Sequence, residues 1–386
     1  MDYLNLKNHF IINLIYQKMK KLVLFFAAMF VTIFVMAQNT ADVTQTGNDQ
    51  NTVVTQTGAD QHATVTQDGN LNKTIVDQLA EASSYGPGKQ TATVTQDGTS
   101  NLASIDQNQT GGGDKAENTA LIDQIGTNNK AYQTENAPGS NSGQHLTAIQ
   151  NGTENLSHQL INGGYTDYFW VDQKGKYNVA TQTGTGITTN TARIYQDGLR
   201  NNAVQTLKGS NNGYYGGFFY NEKVKIDQTG NDNSAKQIFS GYGSNHGNSA
   251  YIGQTGNNNM ATETGDGRNV YADIIQNGYR NTATTKQTGS KHQIFLNQIG
   301  NDNTVRVTQD NDRTGDPLGN YADIDIEGNF NNGVVSSIGY ENTVDVDVMG
   351  NLNRFTVLQT GTGHSATIMQ TGNSNVANIT QNLNVN

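Results

Sequence analysis

Amide side chains return along this chain every eleven residues. Gln45, Gln56, Gln67 and Gln78 keep that interval, as do Gln276, Gln287, Gln298 and Gln309, and again Gln359, Gln370 and Gln381. A primary amide carries two donors and an acceptor, so identical amides held one above another can bond into a continuous ladder. That is the one chemistry whose residue type and spacing recur from end to end. The other candidates are sparser. The seven histidines are scattered; His292 and His364 replace an amide of the repeat, which reads as a substituted ladder position rather than a metal ligand. Gly230-Asn231-Asp232-Asn233 and Gly300-Asn301-Asp302-Asn303 resemble calcium-binding loops, but those need a nonapeptide with paired glycines, so turn chemistry is the better account. No Ser/His/Asp set, phosphate loop or zinc spacing is visible, and no cysteine is present for a disulfide or thiolate site. No catalytic residue, cofactor site or metal site is assigned, and the chain does not read as an enzyme.

The elements that must position these amides follow from the register. With the first Gln of a unit at position 1, Gln67–Gln78 places Gly at 3, Asn at 6, a small residue at 8, an aliphatic at 10 and Gln at 12, which opens the next unit. Positions 6, 8, 10 and 12 alternate with polar 7, 9 and 11, the period of a strand with one buried face. Positions 2 to 5 are expected to form the turn. Odd units begin at 45, 67, 96, 124, 150, 173, 196, 228, 254, 276, 298, 326, 348 and 370, and every one is uninterrupted. Insertions such as Leu79–Gly88, Asn108–Lys115, Lys208–Tyr220, Ser240–Asn245 and Asn311–Pro317 all fall in even units, and Pro87, Pro138 and Pro317 sit there too. The true repeat is therefore 22 residues: two strands, one tight turn and one tolerant turn, with all insertions along one edge.

Position 6 of the odd units reads Asn72, Asn101, Asn129, Asn155, Asn178, Asn201, Asn233, Asn259, Asn281, Asn303, Asn331, Asn353 and Asn375, with Gln50 the one departure. Position 10 of the even units is aliphatic, as at Val65, Ile122, Ile226 and Ile324. These rows predict an all-β solenoid: stacked two-strand rungs, two facing parallel sheets, about fourteen rungs at about 4.8 Å each, held by Asn and Gln ladders as in a cross-β structure. Hydrophobic residues make up 34% of the chain, too few for a thick core. Burying one Val or Ile contributes roughly 1.5–3 kcal/mol, while ordering each residue costs about 1.5 kcal/mol. The aliphatic row cannot hold such a fold alone, so paired backbone and amides must contribute.

Residues 1–37 read as an upstream extension and secretory signal peptide. Lys18, Lys20 and Lys21 precede the apolar run Leu22–Met36, Val35-Met36-Ala37 ends in a small residue, and cleavage is expected between Ala37 and Gln38; Met19 offers an internal start. A membrane anchor is the other reading, for which the run is short. The remaining chain, 38–386, carries the repeats and more negative charge than the whole chain's net −10, which disfavours nucleic acid and anionic membranes as partners. Both end strands are expected to offer unpaired backbone, a template for another copy. The loop Tyr214, Tyr215, Phe218, Phe219 and Tyr220 is the most apolar insertion and a candidate contact patch, with Tyr165, Tyr168, Phe169 and Trp170 expected near the same edge. Outward Thr64/Thr66 and Thr93/Thr95 suggest an ice-binding array, but the same positions hold Ile75/Asp77 and Ser104/Asp106 elsewhere.

The repeat resembles that of curlin subunits, the building blocks of bacterial curli fibres, which carry Ser, five residues, Gln, one, Gly, two, Asn, one, Ala, three, Gln. Gln96, Gly98, Asn101, Ala103 and Gln107 fit the second part, as do Gln276, Gly278, Asn281, Ala283 and Gln287, and Gln370, Gly372, Asn375, Ala377 and Gln381. The Ser place falls on position 6 of even units, which here varies. From Gln124 to Gly265 the odd strands lose the closing Gln and carry Gln133, Gln159, Gln182, Gln205, Gln237 and Glu263 at position 10. The resemblance implies a secreted functional-amyloid subunit that polymerises with itself and other curlin-like subunits. It also implies export through an outer-membrane pore with accessory factors, and a role in biofilm matrix and adhesion at the cell surface. A non-polymerising surface adhesin is the alternative.

Overall fold

The computed structural model describes residues 39–80, 89–110, 117–138, 143–163, 167–185, 190–209, 224–241, 248–311 and 318–382. The expected leader, the apolar loop Tyr214–Tyr220, Tyr165 and most inserted residues lie outside them. Asn39–Asn386 is one compact unit.

Among the described residues, twenty-eight strands alternate between two 14-stranded sheets, every pairing parallel. The first sheet opens with β1 (Thr40–Asn48) and β3 (Gln61–Asn70) and closes with β27 (Ser365–Thr371). The second opens with β2 (Asn51–Thr57) and closes with β28 (Val376–Asn382). The strands of the odd units make the second sheet. Each strand thus pairs with the one a full rung away, as in Gln45↔Gln67 and Gln56↔Gln78. Insertions do not disturb the register: Gln61 pairs with Gln90 across the residues inserted after Leu79. The connection from the first sheet to the second is always the tight turn, and the inserted segments all fall in the returns.

Side chains alternate between buried and outward along each strand, as in Lys73–Ala80. The inward aliphatic row of the first sheet is closed from Val65 to Ile368, each member at most 4% exposed. In the second sheet a row of small residues runs through Ala103, Ala131, Ala180, Ala203, Ala235, Ala261 and Ala283. Large residues fit this thin core only opposite a gap. A Cβ on Gly184 would meet the Phe169 ring at 2.6 Å, one on Gly265 the Phe239 ring at 2.4 Å, and one on Gly333 the Phe355 ring at 1.9 Å.

The turn is narrower than the pattern suggests. Parallel pairing continues through positions 2 to 4, as in Gly47↔Gly69 and Asn48↔Asn70. The bend falls on position 5, which is left-handed in all fourteen tight turns (φ 54–60°) whatever residue stands there, Leu71, Tyr177, Phe330 and Leu352 included. From the second turn on, the position-5 N–H donates to the position-4 carbonyl of the rung before, at 3.0 Å from Leu71 to Asn48 and 2.9 Å from Leu352 to Asn329. The glycine at position 3 is required for a different reason. A Cβ on Gly98 would lie 2.0 Å from the Gly126 carbonyl oxygen, so any side chain there pushes two rungs apart.

Candidate assembly site: amide ladders and end faces

The position-6 asparagines stack as expected but bond chiefly to backbone. From Asn72 to Asn353, each places its Oδ1 on the backbone N–H of its counterpart in the next rung and its Nδ2 on the position-3 glycine carbonyl of that rung. Asn72 accepts from Asn101 N at 3.0 Å and donates to Gly98 O at 3.1 Å; Asn353 accepts from Asn375 N at 2.9 Å and donates to Gly372 O at 2.8 Å. Asn101, Asn129, Asn155, Asn178, Asn201, Asn233, Asn259, Asn281, Asn303 and Asn331 repeat both bonds. An amide is needed because one side chain must accept and donate toward the same neighbour.

The glutamines form side-chain ladders proper, with a single polarity: each Nε2 donates to the Oε1 of the next rung. In the first sheet eleven glutamines run from Gln45 through Gln67, Gln96 and Gln276 to Gln298, at 2.7–2.9 Å. The run ends there because Ile326 and Val348 occupy the next two places. Gln370 stands beyond them with its buried Oε1 unpartnered. Nε2 also reaches across to the facing sheet, as from Gln96 to Lys73 O at 3.2 Å.

In the second sheet the ladder breaks into pieces. Gln56, Gln78 and Gln107 bond in series and end on Glu135. The amides then move two residues back along the strand: Gln133, Gln159, Gln182, Gln205 and Gln237 bond in series and end on Glu263. Over this stretch position 12 holds Ile161, Gly184, Leu207, Phe239 and Gly265, and Ile161, Leu207 and Phe239 close a third apolar cluster with Leu146, Phe169 and Val224. Gln287 and Gln309 restore the position-12 ladder; Ser337, Gln359 and Gln381 continue it after a gap. Both glutamates stand where a run ends: the next place after Glu135 holds Ile161, which has no acceptor, and the next after Glu263 holds Thr285, whose buried hydroxyl bonds no described residue. Each carboxyl accepts from the Gln before it through Oε2, and its buried Oε1 bonds no described residue. Burial pushes both carboxyls well above the usual range, against the hydrogen bond from Gln107 or Gln237; Asp273 raises Glu263 further.

A further ladder escaped the sequence reading. Asn48 bonds to Asn70, Asn231 to Asn257, and Asn301, Asn329, Asn351 and Asn373 in series, along the exposed edge of the tight turn at position 4. The signal was present in the Gly-Asn pairs, which the calcium comparison had singled out for another reason. Asp232 and Asp302 in those runs pair with Arg200 and Arg280, both Nε–Oδ1 distances being 2.6 Å.

His292 takes the place of an amide at position 6 of an even unit. Its Nδ1 accepts from Asn320 N at 3.0 Å and its Nε2 donates to Thr288 O at 2.9 Å; burial lowers its pKa to about 4. Asp167 holds the equivalent place, accepting from Asn190 N at 2.7 Å, and burial raises its pKa to about 6. His364 occupies another such place, its Nε2 donating to Thr360 O at 3.0 Å. The aromatic group expected beside the apolar loop divides within one strand. Phe169 is buried, whereas Tyr168 stacks on His145 at 4.5 Å and Trp170 lies under Arg193 on the outer face. Strand alternation separates them.

The model of the Curlin associated repeat family matches residues 38–80, 267–300, 278–310 and 350–382. No curated protein matches the chain. All four stretches belong to rungs whose second-sheet glutamine stands at position 12, and at these places the chain carries the Curlin associated repeat.

Proposed function

We propose that the chain is a secreted structural subunit whose copies join end to end into curli-like amyloid fibres outside the bacterial cell. They would serve biofilm matrix and surface adhesion, with no catalytic role. The observation that carries this reading is the first rung. β1 is exposed along its whole length, and Val43 of the inward aliphatic row is 47% exposed where every later member is closed. A parallel edge with its apolar row open is a template for another strand. The curlin repeats support the same class of protein. On this reading residues 1–37 are removed on export through an outer-membrane pore served by accessory factors, the asparagine and glutamine rows are the assembly ladders, and other curlin-like subunits join the same fibre.

The test is fibre diffraction and thioflavin binding on residues 38–386 after removal of denaturant. The expected result is growing fibres with a meridional reflection near 4.7–4.8 Å. A stable β-rich monomer at high concentration overturns fibre formation and leaves a cell-surface adhesin as the reading.

A further inference from the structure

We infer that the last rung of one copy docks on the first rung of the next in a single register, with an amide-donor face meeting an amide-acceptor face. This rests on the assembly reading above and specifies its junction. The polarity of the ladders makes the two ends of the molecule chemically different. At one end Gln370 and Gln381 use Nε2 for one bond each among the described residues, to Arg354 O and Ser365 O, so each retains a hydrogen aimed along the stack. At the other, Gln45 and Gln56 donate to Gln67 and Gln78, and neither Oε1 receives a bond from a described residue. Two like ends would set donor against donor or acceptor against acceptor; only unlike ends are complementary.

The rows decide the register. Continuing the pairing of the final rungs by one more step sets β1 on β27 and β2 on β28, with Gln45 over Gln370 and Gln56 over Gln381. Four further rows then meet their own kind, Ala366 with Ala41, Ile368 with Val43, Gly372 with Gly47 and Ile379 with Val54, while Ala377 meets the small residue Thr52. Asn375 donates within its own turn, to Thr371 O, and no described residue bonds its Oδ1. In this register it meets Gln50 N and Gly47 O, the two groups each earlier asparagine of the row finds in its successor. The exposed position-4 ladder is the most specific match. It runs unbroken from Asn301 to Asn373 and starts again at Asn48 and Asn70, so docking makes it continuous. A slip of two residues sets glutamine against an aliphatic in both sheets, and a slip of one turns every inward row outward.

The chain has no cysteine, so a pair introduced across the junction reports the register directly. Thr367 and Asp42 both point outward and are exposed, at opposite ends of one molecule. In the inferred register their Cα atoms are about 4.8 Å apart, within disulfide reach, whereas a two-residue slip separates them by about 8 Å, beyond it. Fibres of Asp42→Cys/Thr367→Cys, oxidised and dissolved in denaturant, are expected to give long covalent oligomers, at least about tenfold more than fibres of Asp42→Cys/Met369→Cys. Fibres that cross-link through 42–369, through 367–367, or not at all overturn the register while leaving end-to-end assembly standing. A wild-type chain that forms no fibres overturns assembly itself and the junction with it.

Discussion

Rungs near the two ends and rungs in the middle solve one packing problem in two ways. Through Gln78 and Gln107, and again at Gln309, the second sheet sets an aliphatic at position 10 and an amide at position 12, with Thr285 at position 10 beside Gln287 between the two arrangements. From Gln133 to Glu263 the two exchange places, and the space vacated by the amide fills with Ile161, Leu207 and Phe239. Backbone register is unchanged through both transitions. A ladder therefore needs amides in consecutive rungs at one position, and the solenoid does not prescribe which. At each boundary of the exchange a glutamate, Glu135 or Glu263, accepts from the last amide of the run. The four curlin-repeat matches fall in the rungs with the position-12 arrangement.

The most disruptive way to break the central arrangement is to overfill it. Gly265→Leu drives a side chain into Phe239 and is expected to destabilise the chain by about 3 kcal/mol or more in denaturant titration, with Phe239→Ala on the same chain restoring part of the loss. Recovery absent from the double variant would mean that Phe239 is not what the glycine accommodates. Gln182→Leu cuts the displaced ladder, leaving one Gln159 amide hydrogen and the Gln205 side-chain carbonyl without partners, for an expected loss of about 2–4 kcal/mol. A loss below about 0.5 kcal/mol would show that the amide series contributes no more than ordinary surface contacts.

Acidity separates the two regions as well. Asp167, in the middle, has a folded pKa of about 6, above its unfolded value near 3.9; its contribution is complete at low pH and is lost as pH rises toward 6. His292, in the rungs beyond, has a folded pKa of about 4, below an unfolded value near 6.5; its contribution is complete above that and is lost as pH falls toward 4. Each is expected to change stability by about 3 kcal/mol across its window. Hydrogen exchange between pH 4 and 7 should show the middle weakening with rising pH and the later rungs with falling pH. Asp167→Asn and His292→Asn should each flatten their own trend, and no change in either slope would contradict the assignment. Glu135 and Glu263 add to the first trend, being raised in the same direction. The smallest expected effect is a gain: Leu352→Asn relieves a left-handed leucine and should stabilise the chain by about 1 kcal/mol in the same titration.

Much of the architecture was legible because the repeat is its own evidence. Gln, Gly, Asn, a small residue, an aliphatic and Gln recur at constant offsets, and period-two alternation between Asn and Gln leaves one strand direction and one buried face. Parallel stacking follows, since only in-register parallel rungs set position 6 over position 6 through fourteen turns. The place of every insertion in a return turn was legible for the same reason. Other features were invisible to pattern. Position 5 carries no residue preference, so its left-handed backbone could not be read from Leu71 or Phe330. The position-4 asparagines sit in a segment that reads as turn, and they become a ladder only because pairing extends through it. Phe169 looked like part of an exposed aromatic edge because nothing local reveals that Gly184 leaves room for its ring.

The sequence by itself thus determined the period, the parallel two-sheet stack and the rows that fill it, because a row of identical residues has one low-energy way to pair. Tertiary structure alone decided the polarity of the ladders, the closure of their runs by Glu135 and Glu263, and the chemical difference between the two ends. Hydrogen-bond direction belongs to neighbouring rungs together, and no single unit contains it.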